Sequence, residues 1–156
     1  MSNDQTLSKI LVPMDGSEPS FHAAIIANNI ANKFNSEIIV LYVVVSPSSY
    51  EYANLTGLVT PKQIDMIIQN AKDEAKDWFN KVENIVKEEN PNAKLTMKVL
   101  VTEIALYGEI IQYAEQENVD LIVIGTRGRS GMKKLLLGST ASGILKNSTC
   151  PVLVTK

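Results

Sequence analysis

The stretch Ile38-Ile-Val-Leu-Tyr-Val-Val-Val45 is apolar at every position and rich in β-branched residues. A strand with one face in water alternates apolar and polar residues; a strand without alternation is covered on both faces. Central strands of parallel sheets meet that condition, because the helical crossovers between them lie on both sides. The remainder of the chain has to supply those helices and the neighbouring strands.

It does so in regular order. Lys9-Ile-Leu-Val-Pro-Met14 reads as a second doubly buried strand, with Pro13 at its end because proline donates nothing to a sheet ladder. Asp15-Gly16-Ser17 is a turn, Ser17 or Glu18 caps a helix, and Pro19 sits in its first turn. Ala23, Ile26, Ala27, Ile30 and Phe34 recur at helical spacing, and Asn35-Ser36 ends the run. Ser46 to Val59 is a longer loop with Pro47 and Gly57. Thr60-Pro61-Lys62-Gln63 is a capping box with proline at the first helical position. Behind it Ile64, Ile68, Ala71, Ala75, Trp78, Val82 and Ile85 form an inward stripe, and Asn90-Pro91 stops the helix.

Leu95, Met97, Val99 and Val101 alternate with other residues, as in a strand nearer a sheet edge. A helix is expected from Ile104 to Glu117, with Tyr107, Ile110, Ile111 and Ala114 inward and Asn118 as terminator. Leu121–Ile124 is a fourth strand, a helix opens near Ser139, and Pro151–Thr155 is a fifth strand. Four β-α units and a closing strand predict an α/β fold: one domain over 1–156, a Rossmann-like three-layer α/β/α sandwich around a five-stranded parallel sheet. Right-handed crossovers favour the strand order 3-2-1-4-5.

Composition matters mainly for what it excludes. The chain has 156 residues, 45% apolar and 21% charged, with a formal net charge of −2. That is enough for one substantial core and offers no general attraction to nucleic acid. Cys150 is the single cysteine, which rules out an intrachain disulfide. Met1–Ser8 is polar and carries an acid, unlike a signal peptide, and the longest apolar run is too short to span a bilayer. A soluble cytoplasmic protein that binds no membrane is the expectation.

In an open α/β sheet, ligands bind beyond the carboxyl ends of the strands, where the winding reverses. With the order 3-2-1-4-5 that point lies between strands 1 and 4, so the loops Pro13-Met14-Asp15-Gly16-Ser17 and Gly125-Thr126-Arg127-Gly128 face one crevice. Gly125 lets the chain leave its strand unobstructed, and Gly128 permits a left-handed conformation or close approach to a ligand. Arg127, Arg129, Lys133 and Lys134 add positive charge. Gly138-Ser139-Thr140 presents backbone N–H groups and hydroxyls at a helix N-terminus, which suits phosphate. The spacing is neither Walker A nor the Rossmann fingerprint. Asp15 can accept from a ribose hydroxyl, hold a metal, or cap the first helix; the residues leave these open. His22 has no partner that the sequence identifies, and Cys150 reads as a core thiol.

These residues together resemble the universal stress protein family, from Lys9 to the C-terminus. Its nucleotide-binding branch carries Gly-x2-Gly-x9-Gly-Ser/Thr, and Gly125, Gly128, Gly138 and Ser139 meet that spacing. Asp120-Leu-Ile-Val-Ile-Gly, Cys150-Pro-Val-Leu-Val and Ile10-Leu-Val-Pro-Met-Asp-Gly-Ser also have the family form. The resemblance implies an ATP-binding protein of stress response and signalling, with Mg2+ beside the triphosphate. It implies Pro13 and neighbouring Met14 at the adenine, Asp15 at the ribose, and the Val43 backbone at the adenine edge. Gly125, Thr126, Gly128, Gly138, Ser139 and Thr140 would surround ribose and phosphates, with Arg127 and Arg129 in the same loop. It further implies a homodimer paired through the strand at 151–155. A slow Mg-dependent ATP hydrolase is the alternative, although no group to activate water is evident. A nucleotide-dependent ligase or pyrophosphatase would be expected to show Ser-Gly-Gly-x-Asp-Ser after the first strand, and Asp15-Gly-Ser17 does not. One departure is Val101-Thr-Glu-Ile104, where the family often has glycine; Glu103 either faces the crevice or favours the helix start.

Overall fold

The structure is a computed structural model that describes residues 6–46, 60–126 and 137–156. Strands β1 (Lys9–Pro13), β2 (Glu37–Val45), β3 (Lys94–Thr102), β4 (Leu121–Gly125) and β5 (Val152–Thr155) alternate with helices. The helices are α1 (Glu18–Phe34), α2 (Pro61–Glu89), α3 (Leu106–Gln116) and α4 (Ser139–Asn147). All the strand pairs are parallel, and the described sheet has the order β3-β2-β1-β4-β5. The fold is the α/β architecture and strand order expected from the alternation of elements.

Adjacent residues of a strand point to opposite faces, so each central strand serves two cores. Ile10, Val12, Ile38, Val40 and Val123 pack under α1 and α2. Leu11, Ile39, Leu41, Ile122 and Ile124 pack under α3 and α4. Local signals set the helix ends. Ser17 caps α1, and Asn35 terminates it in the left-handed conformation at φ 54°. Thr60 and Gln63 close a reciprocal capping box on α2. Asn118, at φ 53°, turns the chain out of α3 toward β4.

Most of the buried positions of α1 are small, Ala23, Ala24, Ala27 and Ala31 among them, which allows close approach to the sheet. Phe34 was expected on that face but is 56% exposed. It is the helix's final residue, and the chain turns back into β2 directly after it. On α2 the buried positions are Ala75, Val82 and Val86, with Ile85 only half-buried. The first turns of this 29-residue helix run past the core, leaving Met66 and Ile67 exposed.

A close approach between layers occurs where β4 ends against the start of α1. A Cβ on Gly125 would lie 2.7 Å from Pro19 Cβ and 2.8 Å from its carbonyl carbon and oxygen. Backbone atoms cannot swing aside, so a side chain at 125 forces helix and strand apart. Overpacking of this kind costs about 1–3 kcal/mol. Gly125→Ala is therefore expected to lower the urea midpoint by the equivalent of about 1–3 kcal/mol with an unchanged slope. A variant as stable as the parent would show that the helix and strand are not in contact.

Candidate functional site

β1 stops at Pro13, opposite Leu41, while β2 continues to Val45. Met14 N–H donates to the Leu41 carbonyl at 2.8 Å, and from there the first loop leaves the sheet. Backbone groups of consecutive strand residues face alternate sides. Leu41 faces β1, so the N–H and C=O of Val43 face the side from which β1 has withdrawn. A cavity of about 330 Å³ fills that gap.

Its lining comes from every element expected to meet there. Pro13, Met14 and Asp15 arrive from the first loop, and Val43 with Leu41 and Tyr42 from β2. Gly125 and Thr126 arrive from the end of β4, and Gly138, Ser139 and Thr140 from the start of α4. The floor is apolar, with Leu106 and Ile110 of α3, Ile124 of β4 and Ala141 of α4. These four, with Ser20, Leu41 and Tyr42, are not among the site residues expected from the sequence. Ile110 and Ala141 carry a signal for burial only, and nothing local says that their neighbours open onto a cavity. Arg127, Gly128, Arg129, Lys133 and Lys134 lie outside the described residues, as does the loop from Pro47 to Val59.

The first loop is tightly organised. Asp15 Oδ1 accepts from Ser17 N at 3.0 Å and from Ser17 Oγ at 2.5 Å. Ser17 Oγ in turn accepts from Ser20 N at 3.4 Å as the α1 cap. Thus Ser17 caps the helix and Asp15 fixes Ser17. The buried Ser20 Oγ lies 2.8 Å from the Ser17 carbonyl oxygen and 3.0 Å from Met14 Sδ, joining the loop to the helix start. Gly16, between Asp15 and Ser17, has φ +79°, a conformation that favours glycine.

The second loop is pinned at both ends. Thr126 N–H donates to the Thr155 carbonyl at 2.9 Å, carrying the β4–β5 ladder one step further. Gly138 N–H donates to the Thr126 carbonyl at 2.7 Å, so the chain returns to the point where it left. Gly138 is the N-cap of α4, in extended conformation, and among the described residues no side chain caps this helix. The first helical bond runs from Ser142 N–H to the Gly138 carbonyl at 2.9 Å. The N–H groups of Ser139, Thr140 and Ala141 therefore lie beside the cavity at a terminus that no described side chain caps.

Other sequence candidates lie elsewhere. Glu103 is exposed and does not line the cavity; Thr102, next to it, donates to Glu109 of α3 at 2.8 Å. His22 is exposed on α1. Cys150 lines a second cavity, of about 260 Å³, with Asn118, Val119 and Ser148 from the segments that lead into β4 and β5. Among the described residues, no three His, Cys, Asp or Glu side chains gather to hold a metal, and no helix is long and apolar enough to cross a membrane.

Known proteins share both the sequence pattern and the fold. The pattern of the universal stress protein family matches residues 6–156. The universal stress protein MJ0531 of Methanocaldococcus jannaschii is 36% identical over 156 residues, covering 99% of this chain and 85% of that protein. The universal stress protein UspA from Lactobacillus plantarum superposes with a TM-score of 0.80 at 25% identity, over 96% of this chain and 98% of the other. A universal stress protein from Archaeoglobus fulgidus in complex with dAMP shares the fold, with a TM-score of 0.66 at 19% identity over 97% and 99% of the two chains. With its pattern matched from residue 6 to the C-terminus, the chain belongs to the universal stress protein family.

Proposed function

We propose that the cleft binds ATP and that the chain belongs to the nucleotide-binding branch of its family. One observation carries the reading: the start of α4, with glycine at its cap position, opens onto an apolar-floored cavity where the pairing of β1 with β4 ends. N–H groups and the dipole at such a terminus favour phosphate, and the apolar floor suits a flat base. Adenine would lie against Pro13, Met14 and the floor, with its edge at the Val43 backbone. A ribose hydroxyl would donate to the Asp15 carboxylate, which lines the cleft. Gly125, Thr126, Gly138, Ser139 and Thr140 would enclose ribose and phosphates, with Arg127, Gly128 and Arg129 in the intervening stretch. The dAMP of the A. fulgidus protein is a ligand of the same class on the same fold.

Magnesium fits this site as a companion of the ligand. Asp15 is the carboxylate in the described lining, and Mg2+ is commonly held by phosphate oxygens and water with one or two carboxylates. Hydrolysis would need a group that activates or positions water. Among the described lining residues the ionisable side chains are Asp15 and Tyr42, and Asp15 is already engaged by Ser17. The role is accordingly one of binding and regulation, in stress response or signalling in the cytoplasm, with 1–156 as one domain. Pairing of two copies through β5 fits an edge strand with Leu153 37% exposed and no edge charge before Lys156.

Calorimetry with ATP, and identification of any nucleotide that purifies with the protein, test the reading directly. Saturable binding is expected, with conversion in the presence of magnesium near the spontaneous rate; no binding would defeat the proposal. Ser139→Glu places a negative charge in the first turn of α4, where the dipole tolerates it. It should leave the melting temperature within a few degrees and weaken ATP binding about tenfold or more, with adenosine much less affected. Equal losses for ATP and adenosine would remove the phosphates from this helix. Leu153→Lys should shift sedimentation from dimer to monomer with the fold retained; an unchanged dimer would place the interface elsewhere.

A further inference from the structure

Trp78 touches the first loop from outside the cleft. Gly16 sits against its indole: a Cβ on Gly16 would lie 2.2 Å from Trp78 Cε2, 2.5 Å from Cζ2 and 2.7 Å from Nε1. The indole also packs against Tyr42, the two rings meeting edge-to-face at 80° with centroids 5.0 Å apart. Tyr42 is itself a lining residue of the cleft, on the strand that also carries Val43. The turn Asp15-Gly16-Ser17 is therefore gripped twice. The Asp15 carboxylate holds it from within by accepting from Ser17, and an aromatic plane carried by α2 backs its left-handed glycine.

We infer that Trp78 is a positioning residue for the nucleotide site: its indole holds the Gly16 turn so that Asp15 stays in place to receive a ribose. This rests on the nucleotide reading above. A glycine at φ +79° has many other conformations available, and each would carry Asp15 and the α1 cap away from their positions. A ring packed against the glycine removes those alternatives before the ligand arrives, so less ordering is left for binding to supply. The contact also fixes α2 to the cleft, so a ligand that orders the turn acts on the helix as well.

The test compares Trp78→Leu, which keeps apolar volume in α2 but removes the ring, with Val86→Ala, which removes buried volume two turns further along. Two quantities are read on the full chain. One is hydrogen exchange of the Ser17 amide, the donor to Asp15, with no ligand present; the other is ATP affinity by calorimetry. Trp78→Leu should raise Ser17 exchange and weaken ATP about tenfold, while Val86→Ala changes neither beyond its effect on global stability. Trp78→Phe, which withdraws the fused ring from Gly16 yet fills the packing, should act in the same direction and serves if the leucine variant does not fold. Unchanged Ser17 exchange in the Trp78 variants would overturn the inference, as would unchanged affinity where the parent binds ATP. If the parent binds no ATP, the functional reading fails, and the exchange measurement alone decides whether Trp78 holds the turn.

Discussion

The contact of Gly125 with the backbone of Pro19 sets the dimensions of the site. It is the point where the strand that ends in the second loop meets the helix that begins after the first. Because no side chain separates them, α1 starts almost on top of the end of β4. The cap residue Ser17, two positions before Pro19, is carried to the same place, and Asp15 follows through its bonds to Ser17. On the β4 side, Thr126 follows Gly125 directly, and Gly138 is bonded to Thr126. One close packing contact thus determines how far Asp15 stands from the start of α4.

That contact also revises how the glycine reads. From the sequence, Gly125 belongs to a phosphate loop, where it lets the chain leave its strand. In the structure it lines the cavity but would be required even without a ligand, because Pro19 occupies the space of its side chain. A glycine motif can therefore record packing and binding at once. Gly143 makes the same point in α4, where a Cβ would lie 2.5 Å from Tyr107 Cγ of α3. Glycine spacing alone does not separate the two demands; the neighbours of each position do.

Much of the fold was legible because its signals are local or periodic. The unbroken apolar run of β2, the capping box at Thr60 and Gln63, and the turn residues Asn35 and Asn118 each act over a few positions. The strand order followed from the handedness of crossovers once the elements were in place. What remained hidden depends on distances between remote parts of the chain. Trp78 was assigned to the inward stripe of α2, but no local pattern shows that it meets Gly16, 62 positions earlier, or Tyr42. Phe34 fits the helical stripe by periodicity and lies exposed because the helix ends with it. The cleft floor of Leu106, Ile110, Ile124 and Ala141 reads in the sequence as ordinary core, since burial and cavity lining use the same residue types.

The start of α4 shows how recognition and stability bear on one another at such a site. Ser, Thr, Asp or Asn at the cap would satisfy an N–H of the first turn with their own side chain, and that N–H would then be lost to a ligand. Glycine has no side chain to engage these groups, and relative to the best caps it costs only a few tenths of a kcal/mol. On the nucleotide reading, Gly138 would keep an anion site open with little loss of helix stability. Its N–H is taken by Thr126, which fixes the helix axis with respect to β4, so the remaining N–H groups stay aimed without a cap to hold them. On the nucleotide reading, the phosphates complete the helix terminus, and ligand binding stabilises the fold by mass action through the same groups that recognise it. Backbone N–H groups carry no net charge and bring no counterion of their own. On the same reading, a chain with a net charge of −2 would hold a polyanion in part through uncharged backbone groups.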